Sequence, residues 1–248
     1  MRESEKIGSD SPRSDNMIEK VAQAIEQSMI ERLYEKISQE SFEFESYESD
    51  FLSLRNESDR SLVLFSFIII DDIMCKLLRR QLNIEITDGT ESLFSANGPL
   101  STANARIEMS AAIFWINKET YMNLRTLRRI RNIFAHDRRV VSLSDQAAKS
   151  LLDRIPPYEE YIMKSLIADK NTDQNKEKYV WKIDERAKFF SRSVVTCAHM
   201  ISDLMVEPVA QRMGLTGTRI RRTYDTEPEI LKKIYRSSSY IILTYHGL

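Results

Sequence analysis

Arg131, Asn132 and His136 have the side-chain types that metal-independent RNA cleavage requires. A histidine that titrates near neutral pH can exchange protons with the 2′-hydroxyl and the leaving oxygen. An arginine is always charged and can hold two phosphate oxygens, so Arg131 would stabilise the transition-state charge. Asn132 would position the phosphate by hydrogen bonding. These three residues are the candidate catalytic set for a ribonuclease.

The helical spacing of these residues limits that hypothesis. Each helical residue turns by about 100°, which places Arg131 and His136 roughly 140° apart. They converge only if the helix ends between them or if a second subunit completes the site. Arg128, Asn132 and His136 instead stand four apart on one face. The favoured alternative is structural: His136 would interact with the last carbonyls of its helix, and Asn132 would order it.

Arginine is concentrated in residues 125–139, where Asp137 is the only acid. The six arginines are Arg125, Arg128, Arg129, Arg131, Arg138 and Arg139. Such a cluster can bind phosphates, for which Arg125, Arg128 and Arg129 are the further candidates, or it can contact a protein partner. It can also pair with the acidic segment 40–59 or with Asp71 and Asp72. The net charge of the whole chain is only −1, which favours pairing within the chain.

Asp71 and Asp72 interrupt the most apolar segment of the chain. An unpaired buried carboxylate is costly, so each acid needs a partner. One interpretation is a catalytic carboxylate pair. The favoured one is structural: at least one of the two forms an ion pair with an arginine of residues 125–131.

Other chemistries have little support. Cys75 and Cys197 are the only cysteines, and His199 and His246 have no companions that would complete a metal site. Glycine-rich phosphate loops and hydrolase motifs are absent from the sequence. We therefore predict neither a metal nor a cofactor. The longest apolar run, 62–70, is shorter than the roughly 20 residues that span a bilayer. With no apolar segment near Met1, this predicts a cytoplasmic protein with no membrane partner.

Hydrophobic periodicity and capping residues predict a series of helices. The predicted segments are 17–37, 58–83, 101–115, 117–136, a short helix after Ser144, and 178–206, with a helix or strand at 229–245. Between them we expect a solvated acidic connector at 40–59, a loop at 84–99 and a linker at 168–177. Gly98-Pro99-Leu100-Ser101 should form a turn that delivers Ser101 or Thr102 as a helix cap. The class is an all-α multi-helix bundle.

The sequence predicts that the chain divides into three parts. Residues 1–15 are expected to be a disordered lead, 16–207 a helical domain, and 208–248 a basic extension.

The helix at 178–206 carries an apolar seam in heptads and should end at Pro208. The seam consists of Val180, Ile183, Ala187, Phe190, Val194, Cys197, Ile201 and Leu204. It can cover the helices at 17–37 and 58–83 or pair with a second chain, and we favour the first.

Several short motifs together resemble the mannitol operon repressor family. They are Ser58-Asp59-Arg60, Asp71-Asp72 with Leu77-Leu78, Gly98-Pro99-Leu100-Ser101, Ala105-Arg106-Ile107, and Leu127 to His136. The match covers roughly residues 56–140, and a looser helical pattern extends to about 207. The resemblance implies an all-α regulator without a recognisable DNA-reading motif, which acts in transcription by associating with itself or with a protein partner.

The segment from Arg131 to His136 also resembles the signature of HEPN-type helical domains, many of which are dimeric, metal-independent ribonucleases. Two functions therefore stay open. The first is a regulator that acts through protein contacts, as a homodimer or with another protein. The alternative is a HEPN-like endoribonuclease or RNA-binding protein that uses Arg131, Asn132 and His136.

Overall fold

The computed structural model describes residues 12–40, 42, 44–82, 89–162, 183–215 and 227–247. Within these ranges every regular element is a helix, which confirms the all-α prediction. The α-helices are α1 Pro12–Ser38, α2 Glu48–Ser53, α3 Asp59–Gln81, α4 Gly89–Phe94, α5 Ala103–Ala112, α6 Lys118–His136, α7 Gln146–Leu152, α8 Glu185–Arg212 and α9 Glu229–His246, and residues 158–162 are helical as well. Two 3₁₀ turns, Phe44–Tyr47 and Leu54–Asn56, flank α2.

Local capping chemistry sets the starts of the three helices that surround the candidate residues. The side-chain oxygens of Ser58, Thr102 and Asn117 accept hydrogen bonds from the backbone N–H three residues later. Each bond satisfies a helical donor that has no partner within the helix. These caps confirm the predicted starts of α3, α5 and α6.

The predicted turn at residues 98–101 is confirmed and is tightly packed. The amide of Leu100 donates to the carbonyl of Leu93 at 2.8 Å, and that of Ser101 donates to Gly98 at 3.1 Å. A Cβ atom at Gly98 would overlap the carbonyl oxygens of Ser92 and Leu93. The close backbone approach therefore requires glycine at this position. The predicted loop before the turn also contains α4.

The centre of the bundle is α8, which packs against α3, α9, α1 and α6. Its predicted seam residues from Ala187 to Leu204 are buried, as are Phe189, Met200 and Met205 on its other sides. The seam therefore packs within the chain, as favoured, but α8 is enclosed all round. The sequence predicts the helix at 58–83 to be the buried central one, because that segment is apolar on nearly all sides. That helix leaves Phe65 and Ile68 about half exposed.

The predicted limits of α8 are wrong at both ends. The helix begins only at Glu185, where the Asp184 side chain caps the amide of Ala187 at 2.8 Å. Ile183 precedes it, and Val180 and the predicted linker 168–177 lie outside the described residues. Pro208 does not end the helix. It lies one turn before the last residue, where a lost backbone donor is offset by burying Pro208, Val209 and Ala210.

Residues 40–59 are not the predicted solvated connector. Phe44, Phe51 and Leu54 are buried in the common core, whereas Asp50 and Glu57 are exposed. The number of acids in the segment predicts exposure, but its apolar residues are interspersed with those acids along the sequence. Short helical turns let the two kinds of side chain face opposite ways.

Phe190 of α8 packs between residues of α2 and α9, which are far apart in the sequence. Its ring stacks on Tyr245 of α9 at a centroid distance of 3.7 Å and meets Phe51 of α2 edge-on at 6.4 Å. Helix α9 packs against α8, α2 and α1. The tail segment predicted as helix or strand is thus a helix that closes the core. The basic residues Arg219, Arg221 and Arg222 lie outside the described residues.

Helix α1 begins at Pro12, so residues 12–15 of the predicted disordered lead are helical, while residues 1–11 lie outside the described ranges. Leu33 and Ile37 are fully buried. Met17, Val21 and Ile25 precede them at the same four-residue spacing, which predicts a single apolar stripe along the helix, but they are 70%, 53% and 56% exposed. Only the second half of the stripe therefore packs against the core.

Candidate functional site

Asp71 pairs with Arg106 of α5, and not with an arginine of residues 125–131 as predicted. The guanidinium is bidentate: its Nη2 lies 2.6 Å from Asp71 Oδ2, and its Nε lies 3.0 Å from Oδ1. Its Nη1 donates to the carbonyl of Leu100 in the 98–101 turn. Arg106 is buried, and it fixes the turn and the start of α5 against α3.

Asp72 belongs to a separate contact on the same helix. Its Oδ2 accepts from Tyr47 Oη at 3.1 Å and lies 2.9 Å from Lys76 Nζ. The hydrogen bonds that Lys76 donates to Asp72 and Tyr47 raise the pKa of its ammonium group above the usual value. The two acids therefore have different cationic partners, and they fit the structural interpretation better than the catalytic one.

A cavity of about 350 Å³ lies where α3, the start of α5 and α6 meet. It is lined by Phe67, Ile68, Asp71, Ser101, Thr102, Ala103, Asn104, Arg106, Arg128, Arg131 and Asn132. Three guanidinium groups face one carboxylate, so the lining carries an excess of two positive charges. We refer to this space as the α3–α5–α6 cavity.

The arginines that α6 contributes to the cavity are not neutralised by acids. Arg128 Nε is buried and has no hydrogen-bond partner among the described residues. Arg131 donates one hydrogen bond, from Nη1 to Asn132 Oδ1 at 3.1 Å. Neither forms an ion pair in the described part of the chain. Buried guanidinium donors without partners are rare in folded proteins because they lose hydration without compensation.

The other arginines of the cluster lie elsewhere. Arg125 is 3.5 Å from Glu108 and lies over the Tyr121 ring. Arg139 is exposed and binds Asp137 at 3.0 Å. Arg129 is exposed on the face of α6 away from the cavity lining. The expected pairing with the acidic segment is not found in the described contacts of these residues, and Glu40 pairs with Arg80 instead.

His136 does not join Arg131 and Asn132. Helix α6 runs unbroken through His136, so the helical geometry keeps the side chains of Arg131 and His136 apart. His136 is exposed and is not part of the cavity lining. Within one chain the three candidate catalytic residues therefore do not form a common site.

The carbonyls at the end of α6 are bound by Arg60, whereas the structural interpretation gave this role to His136. The Arg60 guanidinium donates to the carbonyls of Phe134, Asp137 and Val140. A cation at a helix C-terminus also interacts favourably with the helix dipole. The preceding Asp59 accepts from the amide of Leu143 at 2.8 Å.

Asp59 also binds Arg186 at the start of α8, with 2.9 Å between Oδ1 and Nη1. Arg186 donates in addition to the carbonyls of Leu54 and Arg55. Asp59, Arg60 and Arg186 thus fasten α3, α6 and α8 together, and we call them the anchor cluster. Sequence reasoning assigned none of these contacts between helices, although Asp59 and Arg60 stood in a resemblance motif.

A buried ion pair between Arg192 and Glu159 was also missed. Their side chains are 5% and 1% exposed, and the guanidinium binds the carboxylate at 2.7 Å and 3.1 Å. Its Nη1 donates to the carbonyl of Leu152. A signal was present, since Arg192 is a charged residue in the middle of an apolar helix.

The remaining histidines are packing residues in this fold. The His199 ring meets Tyr158 edge-on at 5.4 Å. His246 Nε2 lies 3.2 Å from Ser191 Oγ, and burial lowers the pKa of the imidazole. Burial raises the thiol pKa of both Cys75 and Cys197. The described residues contain no cluster of three or more His, Cys, Asp or Glu that could hold a metal ion.

No helix in the described ranges combines the length and apolarity needed to cross a bilayer. Residues 54–205 match the family model described as mannitol repressor. No curated protein and no solved structure shows significant similarity to the chain.

Proposed function

Because the chain belongs to the mannitol repressor family, we propose that it is a cytoplasmic regulator of transcription that acts through protein–protein contacts. The matched region includes α3 to most of α8, which carry the anchor cluster and the α3–α5–α6 cavity. The resemblance motifs supply structural contacts: Ser58 caps α3, Arg60 binds the end of α6, and Arg106 binds Asp71. These roles suit a protein whose output is a surface that another chain recognises.

The observation that carries this proposal is the exposed apolar surface of α1. Met17, Ile18, Val21 and Ile25 are each more than half exposed on one helix. Clusters of exposed apolar side chains commonly mark protein interaction sites. The stripe continues directly into Leu33 and Ile37, which are in the core, so an added helix would extend packing that already exists. The partner proposed for this surface is a second copy of the chain.

The oligomeric state tests this surface. Wild-type protein should be a dimer by light scattering after size exclusion, and the Val21→Glu/Ile25→Glu variant should be a folded monomer. Gln23→Glu/Gln27→Glu is the matched control, because it adds two negative charges with the same four-residue spacing at exposed positions on the opposite face of α1. A monomeric wild type, or equal dissociation of both variants, would rule out the α1 dimer.

The regulatory role needs a measurement in cells. Deletion of the gene should raise transcript levels of the operon under its control, and the control variant should restore repression. The Val21→Glu/Ile25→Glu variant should fail to do so while reaching normal protein levels. Full repression by that variant would show that α1 contacts are not used.

The endoribonuclease alternative is supported by one observation, that Arg131 and Asn132 line a positively charged cavity together with Arg128. Proton transfer by His136 would need a second chain to bring the imidazole to that cavity. Incubation of wild-type and His136→Ala protein with single-stranded RNA in EDTA tests this. Cleavage that depends on His136 would favour the enzyme over the regulator.

A further inference from the structure

We infer that the α3–α5–α6 cavity is a binding site for a small hydroxylated anion of the phosphate monoester class. The inference concerns binding alone and does not depend on the α1 dimer. Only its use as an effector site, through which a metabolite would alter regulation, rests on the proposed function. The volume of about 350 Å³ is within the range of small-molecule sites and is small for a macromolecule.

The positive charge of the cavity is the first part of the argument. Asp71 is neutralised by its bidentate contact with Arg106. Arg128 and Arg131 therefore supply two uncompensated positive charges, which match the charge of a phosphate monoester near neutral pH. Guanidinium groups bind phosphate oxygens through paired, charge-assisted hydrogen bonds. Arg128 Nε has no hydrogen-bond partner among the described residues, so no acceptor at that nitrogen competes with a ligand for this guanidinium.

The start of α5 is the second, independent part. Ala103 and Asn104 line the cavity as the first two residues of this helix. The Thr102 side chain caps the amide of Ala105, but the amides of Ala103 and Asn104 have no acceptor among the described residues. Backbone donors at a helix start, together with the helix dipole, favour an anion there. The cavity thus has donors from α5 on one side and from α6 on the other.

The remaining lining indicates what accompanies the anion. Ser101, Asn104 and Asn132 carry groups that hydrogen-bond to hydroxyls, whereas Phe67 and Ile68 supply an apolar wall. A bare inorganic anion would leave much of this lining without contacts. A short hydroxylated chain attached to phosphate uses both the cations and the polar groups.

Calorimetric titration of the full chain tests this with glycerol 3-phosphate as the probe, and with inorganic phosphate and glycerol as comparisons. We expect saturable binding of glycerol 3-phosphate, weaker binding of phosphate, and none of glycerol. Absence of saturable heat up to about 10 mM probe would overturn the site. Equal affinity for phosphate and glycerol 3-phosphate would overturn the recognition of hydroxyls.

Single substitutions locate the site. Arg128→Gln and Arg131→Gln should each weaken glycerol 3-phosphate binding roughly tenfold or more, because each removes a charge-assisted contact. Arg129→Gln is the matched control, since it removes the same charge from the same helix outside the cavity. Equal weakening in all three variants would mean non-specific attraction and would overturn the assignment.

A further variant separates binding from folding. Asn132→Asp is nearly isosteric, keeps an acceptor for Arg131, and places a negative charge against the anion. It should melt like the wild type and lose binding. Retained binding in this variant would overturn the site. Displacement of the probe by single-stranded RNA at much lower concentration would instead identify the cavity as a nucleic-acid site. Either result is independent of the α1 dimer measurement.

Discussion

Arginines are central to both the anchor cluster and the α3–α5–α6 cavity, but their guanidinium donors have different partners in the two regions. Arg60 and Arg186 donate to backbone carbonyls, and Arg186 also binds Asp59. In the cavity, Arg128 Nε has no partner among the described residues. An arginine whose donors are satisfied by its own chain holds helices together. One whose charge has no acidic partner in the described part of the chain can pair with an anionic ligand.

The largest effect should come from breaking the most buried ion pair, Arg192 with Glu159. Arg192→Met leaves the Glu159 carboxylate buried without its cation, and should lower the free energy of unfolding by about 3–5 kcal/mol. Urea denaturation measures this. Arg139→Met, which removes an exposed arginine, should leave stability unchanged. A small effect of Arg192→Met would mean that the satisfied arginines are not what stabilises the helices.

The next effect concerns Arg60 in the anchor cluster. Arg60→Ala removes the donors for the carbonyls at the end of α6, and should cost about 1.5–3 kcal/mol of unfolding free energy. Hydrogen exchange should increase in residues 134–143 more than in the first half of α6. Arg129→Ala, also a loss of one arginine, is the control. Uniform exchange in all parts of α6 would argue against an anchoring role.

Arg128 should respond in the opposite sense. Arg128→Met keeps most of the aliphatic packing and removes a guanidinium that forms no ion pair within the described ranges, where its Nε also has no hydrogen-bond partner. Stability should therefore stay within about 1 kcal/mol of wild type or increase. Thermal and urea denaturation without added anion provide the measurement. A loss similar to that of Arg60→Ala would erase the distinction between the two regions.

The smallest effect is a pH dependence of the free energy of unfolding, which comes from His246 at its contact with Ser191. Burial lowers the pKa of His246 in the folded state, while charges on Asp184, Arg55 and Glu159 act on it in opposite directions. The unfolded chain therefore takes up the proton first, and stability present above the unfolded pKa of about 6.5 is lost as pH falls. His246→Gln should lose less stability than wild type between about pH 7.5 and about pH 5.5. Parallel curves would exclude His246 as a contributor.

Features governed by a few neighbouring residues could be predicted from the sequence. Ser58, Thr102 and Asn117 cap helices through bonds to amides three residues away, so their roles need no tertiary information. The turn at Gly98 is local in the same sense. The all-α class follows from periodicities that repeat along most of the chain.

Features that depend on how helices cross were not predictable. That Asp71 needs a cation follows from its apolar surroundings, but the identity of Arg106 depends on where α5 crosses α3. Pro208 is tolerated because surrounding packing outweighs one missing donor. In the candidate site, the grouping of Arg128, Arg131 and Asn132 could be expected from helical spacing. The separation of His136 from Arg131 became clear only because α6 continues to His136.

The position of Phe190 between Phe51 and Tyr245 has an evolutionary consequence. Both neighbours lie outside the segment that matches the family model, one before it and one after it. Loss of α9 in a relative would expose the aromatic residues of the flank that precedes the matched segment. Loss of that preceding flank would likewise expose the aromatic residues of α9. We therefore expect the two flanks to be gained and lost together among relatives, as a single inherited unit encoded on either side of the family segment.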